Sequence, residues 1–135
     1  MAVFAATDLE VTIGGTDFSA SLAAVTLDIS REQLETTAFG DAARTYIAGL
    51  QEGSVTLSFH QDFAASAVDE TLHAALGTEV AFVVKPTSAA VGVGNPSYSF
   101  NALVTQITPF SSNVGDLATQ DVTFPISGPV TRATS

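Results

Sequence analysis

The sequence contains no cysteine and no tryptophan. Without cysteine, neither disulfides nor thiolate metal sites can form. Without tryptophan, and with only 8% aromatic residues, the chain has few of the large rings on which sugars stack. No run approaches the roughly 20 apolar residues that a membrane-spanning helix requires, so we expect no membrane insertion.

Basic residues are also scarce: four Lys and Arg stand against fourteen Asp and Glu, which gives a formal charge of −10. Ordinary nucleic-acid binding gains affinity from basic side chains that release phosphate counterions, and this chain has too few of them. The negative charge is also explained by simple solubility. Charged residues make up only 13%, against roughly 25% in a typical domain. Such a weakly charged surface suits a protein that buries its exterior against neighbours.

The length of 135 residues and the 46% hydrophobic content indicate a single domain, residues 1–135, with one core. There is no internal repeat and no linker. The C-terminal residues 128–135 include glycine, proline and threonine, and we expect them to be extended or mobile.

Apolar and polar residues alternate over most of the chain, which is typical of half-buried strands. Gly14 and Gly15 offer a hairpin turn between the first two strands. A nearly continuous apolar run predicts a later strand that is buried on both faces. The predicted strands are Leu9–Ile13, Thr16–Ala20, Val25–Ser30, Val55–His60, Val80–Val84, Tyr98–Thr108 and Asp121–Ile126. The pattern therefore predicts a mainly β protein.

One segment departs from this alternation and predicts a helix of about ten residues. Ser66 followed by Asp69 resembles a capping box, and Gly77 stands where a helix would end. The apolar positions recur every four residues, at Val68, Leu72 and Leu76. This spacing places them on one face, which we expect to pack against the core.

The sequence gives no support for catalysis or metal binding. His60 and His73 are the only histidines, and they do not have the spacing of a metal site. Neither a Gly-x-Ser-x-Gly elbow nor a Ser-x-x-Lys motif occurs. Gly92-Val-Gly94 lacks the preceding strand and following helix of a phosphate-binding loop. We expect no catalytic residue, no cofactor and no metal, so the protein is not expected to be an enzyme.

An irregular segment between two predicted strands carries Phe39, Arg44 and Tyr46. Two aromatic side chains and a cation are typical of protein-contact patches. The same aromatic residues could instead tuck the segment onto its own core. The residues alone favour neither interpretation.

The run TTAFGDAARTYIAGLQEGSVTLSFHQDF, from Thr36 to Phe63, closely resembles the corresponding part of the major tail (tail tube) proteins of long-tailed, non-contractile phages. The segments LHAALGTEVAFVVKPTSAAV and VGDLATQDVTFPISGPVTRAT are similar to later parts of the same family. The resemblance covers nearly the whole chain, and the first run is its most specific part.

This resemblance implies a β-sandwich or small barrel of the tail tube type, with one flanking helix and a long inter-strand loop. It implies hexameric rings that stack on one another, with strands from every copy joined in an inner barrel. It also implies that the long loop, from Arg31 to Gly53, reaches the adjacent ring. The contact candidates in that loop are Phe39, Asp41, Arg44 and Tyr46.

The resemblance further implies that DNA passes through the channel during ejection without specific binding. We expect Asp28, Glu32 and Asp62 to line that channel, because an acidic wall repels DNA at short range. The implied partners are other copies of the chain, a tape-measure protein in the lumen, and tail terminator and tail-tip proteins. The implied location is the virion tail, assembled in the host cytoplasm.

A different class of function also fits a small mainly β chain. A receptor-binding or carbohydrate-binding β-sandwich on a virion surface would share the composition. The absence of tryptophan counts against sugar stacking. Electron microscopy distinguishes the two functions, since one yields rings or tubes and the other a persistent monomer.

Overall fold

A computed structural model describes residues 7–65, 67–110 and 112–135. Seven strands account for most of this part of the chain. They are β1 (Glu10–Ile13), β2 (Thr16–Asp17), β3 (Leu22–Glu35), β4 (Tyr46–His60), β5 (Glu79–Lys85), β6 (Ser97–Leu103) and β7 (Thr119–Ala133). A 3-10 turn spans Ser19–Ser21, and the one α-helix of the described residues, α1, spans Val68–Ala75. The predicted mainly β fold with one flanking helix is confirmed.

The strands form one antiparallel sheet in the order β2-β1-β5-β6-β7-β4-β3. The long strand β7 changes partner halfway along its length. Pro125 is paired with Ser54 of β4, whereas the next residue, Ile126, is paired with Ala102 of β6. One strand thus joins the two halves of the sheet, which does not close into a barrel.

The core lies between these two halves because the sheet curls over itself. Phe18 follows β2 and Phe59 lies in β4, near opposite ends of the strand order, yet their ring centroids are 6.4 Å apart. Phe82 of β5 and Phe124 of β7 meet in the same way at 6.1 Å. The strand positions that alternate inward supply the buried cluster, as period-two patterning requires.

The helix closes one side of this core, largely as the spacing predicts. Val68 and Leu72 are buried, and Gly77 follows with a φ of +84°. Leu76 is exposed and comes just after the last helical turn. The predicted cap residue Ser66 lies outside the described residues. No helix in the described ranges has the length and apolarity needed to cross a membrane.

Several predicted strand bounds are wrong. The second strand ends at Asp17, because a 3-10 turn follows it, and the sixth ends at Leu103. The fifth strand is not buried on both faces, since Ala81 is exposed while Phe82 is buried. The C-terminal segment was expected to be extended or mobile, and residues 131–133 are extended as the last part of β7, paired with β6.

The largest correction concerns the predicted loop from Arg31 to Gly53. Strand β3 continues to Glu35 and β4 begins at Tyr46, so only residues 36–45 connect the two strands. We call residues 31–53 the arm. The arm is a two-stranded ribbon that extends past the core, and almost all its residues are exposed. Neither face is buried, so the alternation that marks a half-buried strand is absent.

Candidate assembly surfaces

The arm carries apolar side chains that its own chain does not cover. Leu34 and Ile47 are directly opposite each other across the ribbon. The exposed large hydrophobic residues of the arm are Leu34, Phe39, Tyr46, Ile47 and Leu50. An isolated two-stranded ribbon is marginally stable in water, and contiguous exposed apolar surface marks an interaction site. The arm therefore has the properties of a surface that is completed by a partner.

The tip of the arm, residues 36–45, is organised by its own hydrogen bonds. The Asp41 amide donates to the Ala38 carbonyl at 3.1 Å, and the Ala38 amide donates to Asp41 Oδ2 at 2.7 Å. Gly40, at the third position of this turn, has a φ of +94°, as a type II turn requires. Phe39 occupies the corner of the turn and is fully exposed.

Two contacts join the two sides of the tip where it meets strands β3 and β4. Arg44 Nη1 lies 2.6 Å from Glu35 Oε1, and the hydroxyl oxygens of Thr36 and Thr45 are 2.8 Å apart. The four predicted contact residues are thus brought together. Asp41 and Arg44 hold the tip, Phe39 projects from it, and Tyr46 begins β4 just behind it.

The outward face of β3, β4 and β7 is polar and acidic. Asp28 is paired with Ser54, and Glu52 is paired with Ser30, so the two acidic residues share this face. They line the same shallow depression. Asp121 lies farther along the face, where its carboxylate accepts a hydrogen bond from the Ser58 hydroxyl.

The three predicted channel residues are not brought together by the fold. Asp28 lies on the polar face at the base of the arm. Glu32 lies on the arm itself, opposite Gly49. Asp62 follows the other end of β4, where its carboxylate accepts the Ala64 amide at 2.9 Å and its carbonyl accepts the Asp69 amide. The three carboxylates are therefore spread along the full length of the β3–β4 pair, from the arm to the far end of β4.

The four basic residues have contacts elsewhere in the fold. Arg31 donates from Nε to the Gly49 carbonyl at 3.0 Å, and Arg44 is at the tip. Lys85 lies 3.5 Å from Glu10, and Arg132 is near the end of β7, opposite Tyr98. Within the described ranges, neither Asp28 nor Glu52 forms an ion pair.

Several strand edges have no partner among the described residues. Strand β3 pairs only with β4, so the other edge of its 14 residues is open. The later half of β7 is also open on one side, but Gly128 there has a φ of +90° and Pro129 has no N–H to donate. Proline and irregular backbone discourage strand pairing. No proline interrupts β3, so its edge is the better template for an added strand.

Comparison with solved structures identifies similar chains in several particles. A chain of the native gene transfer agent virion matches with a TM-score of 0.78 and 14% identity, over 97% of this chain and 99% of that one. A chain of the anti-feeding prophage cap, which terminates its tube, matches with a TM-score of 0.73 and 19% identity, over 100% and 93%. The chain has the fold of these particle proteins.

Two further matches come from assembled tails and tubes. A chain from the tail of the empty gene transfer agent particle, refined with C6 symmetry, has a TM-score of 0.69 and 15% identity, with 93% of each chain covered. A chain from the sheath–tube complex of an extracellular contractile injection system has a TM-score of 0.67 and 15% identity, over 95% and 89%. No protein-family model and no curated protein matches the sequence.

Sequence reasoning missed Glu52 and Asp121 as members of the acidic face. Extending the alternation of Thr56 and Ser58 backwards past Gly53 would have found Glu52. Asp121 alternates with buried Gln120 and Val122, so its outward position was also readable. Within the described residues, no group of three His, Asp or Glu side chains could hold a metal ion.

Proposed function

We propose that the chain is the structural subunit of a phage-like tail tube and acts as a polymer, not as an enzyme. The observation that carries this proposal is the combination of an open 14-residue strand edge with an exposed apolar arm. In a monomer, an unpaired strand edge and an exposed apolar surface both favour uncontrolled association. Neighbouring copies would pair the strand edge and bury the apolar surface. The similar chains in tail and tube particles support the same function.

The working assembly is a ring of six copies that stacks on further rings. Each copy pairs the open edge of β3 with a strand of its neighbour, which removes sheet edges around the ring. The sixfold number is supported by the C6 symmetry of one similar tail. The arm reaches the adjacent ring, and its contact residues are Phe39, Asp41, Arg44 and Tyr46.

The polar face lines the channel through which DNA passes. Asp28, Glu32 and Asp62 are proposed channel residues, and Glu52 joins them because it shares a face with Asp28. Duplex DNA carries about one negative charge per 1.7 Å, and screening at physiological salt acts over about 8 Å. An acidic wall this close repels DNA, so the genome slides without binding.

Charge reversal tests the channel assignment. The double variant Asp28→Lys with Glu52→Lys is expected to form intact tubes and to slow DNA ejection, because lysine attracts phosphates. Ejection is followed by the fluorescence of a DNA-binding dye after addition of receptor. Glu79→Lys, at the exposed start of β5, is the matched control and should leave ejection unchanged. An unaltered rate in the double variant would remove these residues from the channel.

The remaining parts of the proposal concern location and partners. The subunit is a component of the virion tail, assembled in the host cytoplasm, with a tape-measure protein in the lumen and terminator and tip proteins at the ends. The match to a tube-terminating cap supports end partners. The similar chains include contractile systems, so we extend the proposal beyond the non-contractile phages to both kinds of tail.

Electron microscopy of the purified protein is the direct test. Negatively stained samples over a range of concentrations, with and without tail-tip proteins, are expected to show rings or tubes with a central channel. A protein that stays monomeric under all these conditions and binds glycans on an array would instead be a β-sandwich binding module, and the proposal would be wrong.

A further inference from the structure

A second exposed apolar surface lies far from the arm. The rings of Phe63 and Phe110 are stacked with centroids 5.6 Å apart, although both are largely exposed, at 55% and 85%. Val114 and Leu117 are also exposed in the segment that follows Phe110. We call these four residues the end patch. Solvent-exposed aromatic pairs of this kind are enriched where proteins bind one another.

The end patch is held in place by the side-chain amides of Gln120 and Gln61. Gln120 is fully buried, and its Oε1 accepts the Thr108 amide at 3.1 Å. Gln61 donates from Nε2 to the Pro109 carbonyl at 2.8 Å, and its backbone amide donates to the Ala118 carbonyl. These bonds fix the backbone two residues before Phe63, directly before Phe110 and directly after Leu117. The aromatic pair is therefore displayed on an ordered support.

The end patch and the tip lie at opposite ends of the molecule. Strand β4 begins at Tyr46, beside the tip, and ends at His60, three residues before Phe63. Its 15 residues, at about 3.3 Å each, separate the two surfaces by several tens of ångströms. A chain cannot place its own tip on its own end patch. A second copy can.

We propose that the tip of one copy docks on the end patch of a second copy in the adjacent ring, with Phe39 against the rings of Phe63 and Phe110. This inference rests on the proposed tube function and names the surface that receives the arm. A contact between two different surfaces that face opposite ends of the molecule repeats along one axis without closing, which builds a stack. Two tips in contact with each other would stop at a dimer.

The tip offers one cation to the acidic side chains near the end patch. Arg44 at the tip is 71% exposed and uses one nitrogen for its contact with Glu35, which leaves other guanidinium N–H groups as donors. Two exposed carboxylates are near the end patch in sequence: Asp62 directly precedes Phe63, and Asp116 directly precedes Leu117. Docking brings this cation towards two carboxylates, and charge of this kind sets the orientation of a contact more than its affinity.

Crosslinking in assembled tubes tests the contact, and the absence of cysteine makes the labels unique. The double variant Ala38→Cys with Ser112→Cys puts one thiol next to Phe39 and one two positions after Phe110 in sequence, without removing either aromatic ring. A short bismaleimide is expected to produce a ladder of covalent oligomers on a denaturing gel. Ala38→Cys with Val93→Cys, whose second thiol is in an exposed loop at the arm end of the body, is the matched control.

The outcomes separate this inference from the function on which it rests. Tubes that give a ladder only with the Ser112 label support the inference. Tubes without that ladder, or with a covalent dimer from Ala38→Cys alone, overturn the docking and leave the tube function intact. A Ser112 label that captures only a different tail protein in purified particles also overturns it. Failure to form any tube overturns both.

A second measurement tests whether the aromatic side chains of Phe39 and Phe110 contribute to tube assembly. Phe110→Ser and Phe39→Ser are each expected to raise the minimum concentration for tube formation by at least about tenfold, which is the effect of losing an aromatic anchor at an interface. Val93→Ser, equally exposed, should leave it unchanged. Their unfolding midpoints should match the unmodified chain. Unchanged assembly by Phe110→Ser would overturn the inference.

Discussion

The close packing of the strands at the base of the arm requires a residue without a side chain at Gly53. This residue is paired with Ile29 of β3, next to the position where β7 leaves β4. A Cβ at Gly53 would lie 2.3 Å from the Asp28 carbonyl oxygen and 3.2 Å from Ile126 Cδ1. The first distance is about 1 Å shorter than a close carbon–oxygen contact of ~3.3 Å. Gly53→Ala must therefore displace backbone, not merely a flexible side chain.

The expected effect follows from two opposing contributions. Forcing a methyl group into a packed site lowers the free energy of unfolding by about 1–3 kcal/mol. Replacing glycine also reduces the freedom of the unfolded chain, which raises it by about 0.4–1 kcal/mol. We expect Gly53→Ala to be less stable than the unmodified chain by about 1–2 kcal/mol.

The same substitution at Gly94 is the control, because a Cβ there meets nothing within 4 Å and the φ lies outside the left-handed region. Gly94→Ala should raise the free energy of unfolding by about 0.4–1 kcal/mol. Both variants are compared by urea denaturation of the unassembled subunit. The reasoning is refuted if Gly53→Ala proves as stable as Gly94→Ala with an unchanged denaturant slope.

Two further predictions concern polar contacts. The side-chain and backbone hydrogen bonds from Ser19 hold the pKa of Asp17 below 3.8, so its contribution to stability is present at neutral pH and lost as pH falls from about 5 through that lowered pKa. Asp17→Asn should therefore be less stable than the unmodified chain at pH 6, and urea titrations should show this difference shrinking as pH falls through the lowered pKa. A difference that stays constant with pH would contradict this. Gln120→Leu leaves the half-buried Thr108 amide without its acceptor and should lower the free energy of unfolding by about 1–3 kcal/mol, whereas Gln106→Leu, at an exposed position, should not. Equal effects of the two substitutions in denaturation would refute the role of the Gln120 amide.

The elements that pack one face against the core were readable from the sequence. Val68 and Leu72 are spaced for one helical face, and both are buried. Val55 and Leu57 alternate with polar residues and are buried in β4. In each case a single local period is imposed by a single buried face. Gly77 ended the helix as predicted, because glycine adopts its positive φ without steric cost.

The candidate surfaces were only partly readable. The residues at and next to the tip were found because the segment that carries Phe39, Arg44 and Tyr46 has no alternation. The strands on either side of them were mistaken for loop, because a ribbon with two solvated faces carries no period. The end patch was not found at all. Phe63 and Phe110 are 47 positions apart in sequence, and their stacking depends on bonds between distant segments.

The sequence by itself determined the mainly β composition of the fold, the single helix, the lack of cysteine chemistry and the excess of acidic charge. Each of these is a local or additive property of the residues. Only the tertiary structure decided that β7 changes partner at Pro125, that the sheet stays open, and that two apolar surfaces lie at opposite ends of one strand. Those features depend on the register between strands that are far apart in sequence, and register is fixed by the packing of the whole core.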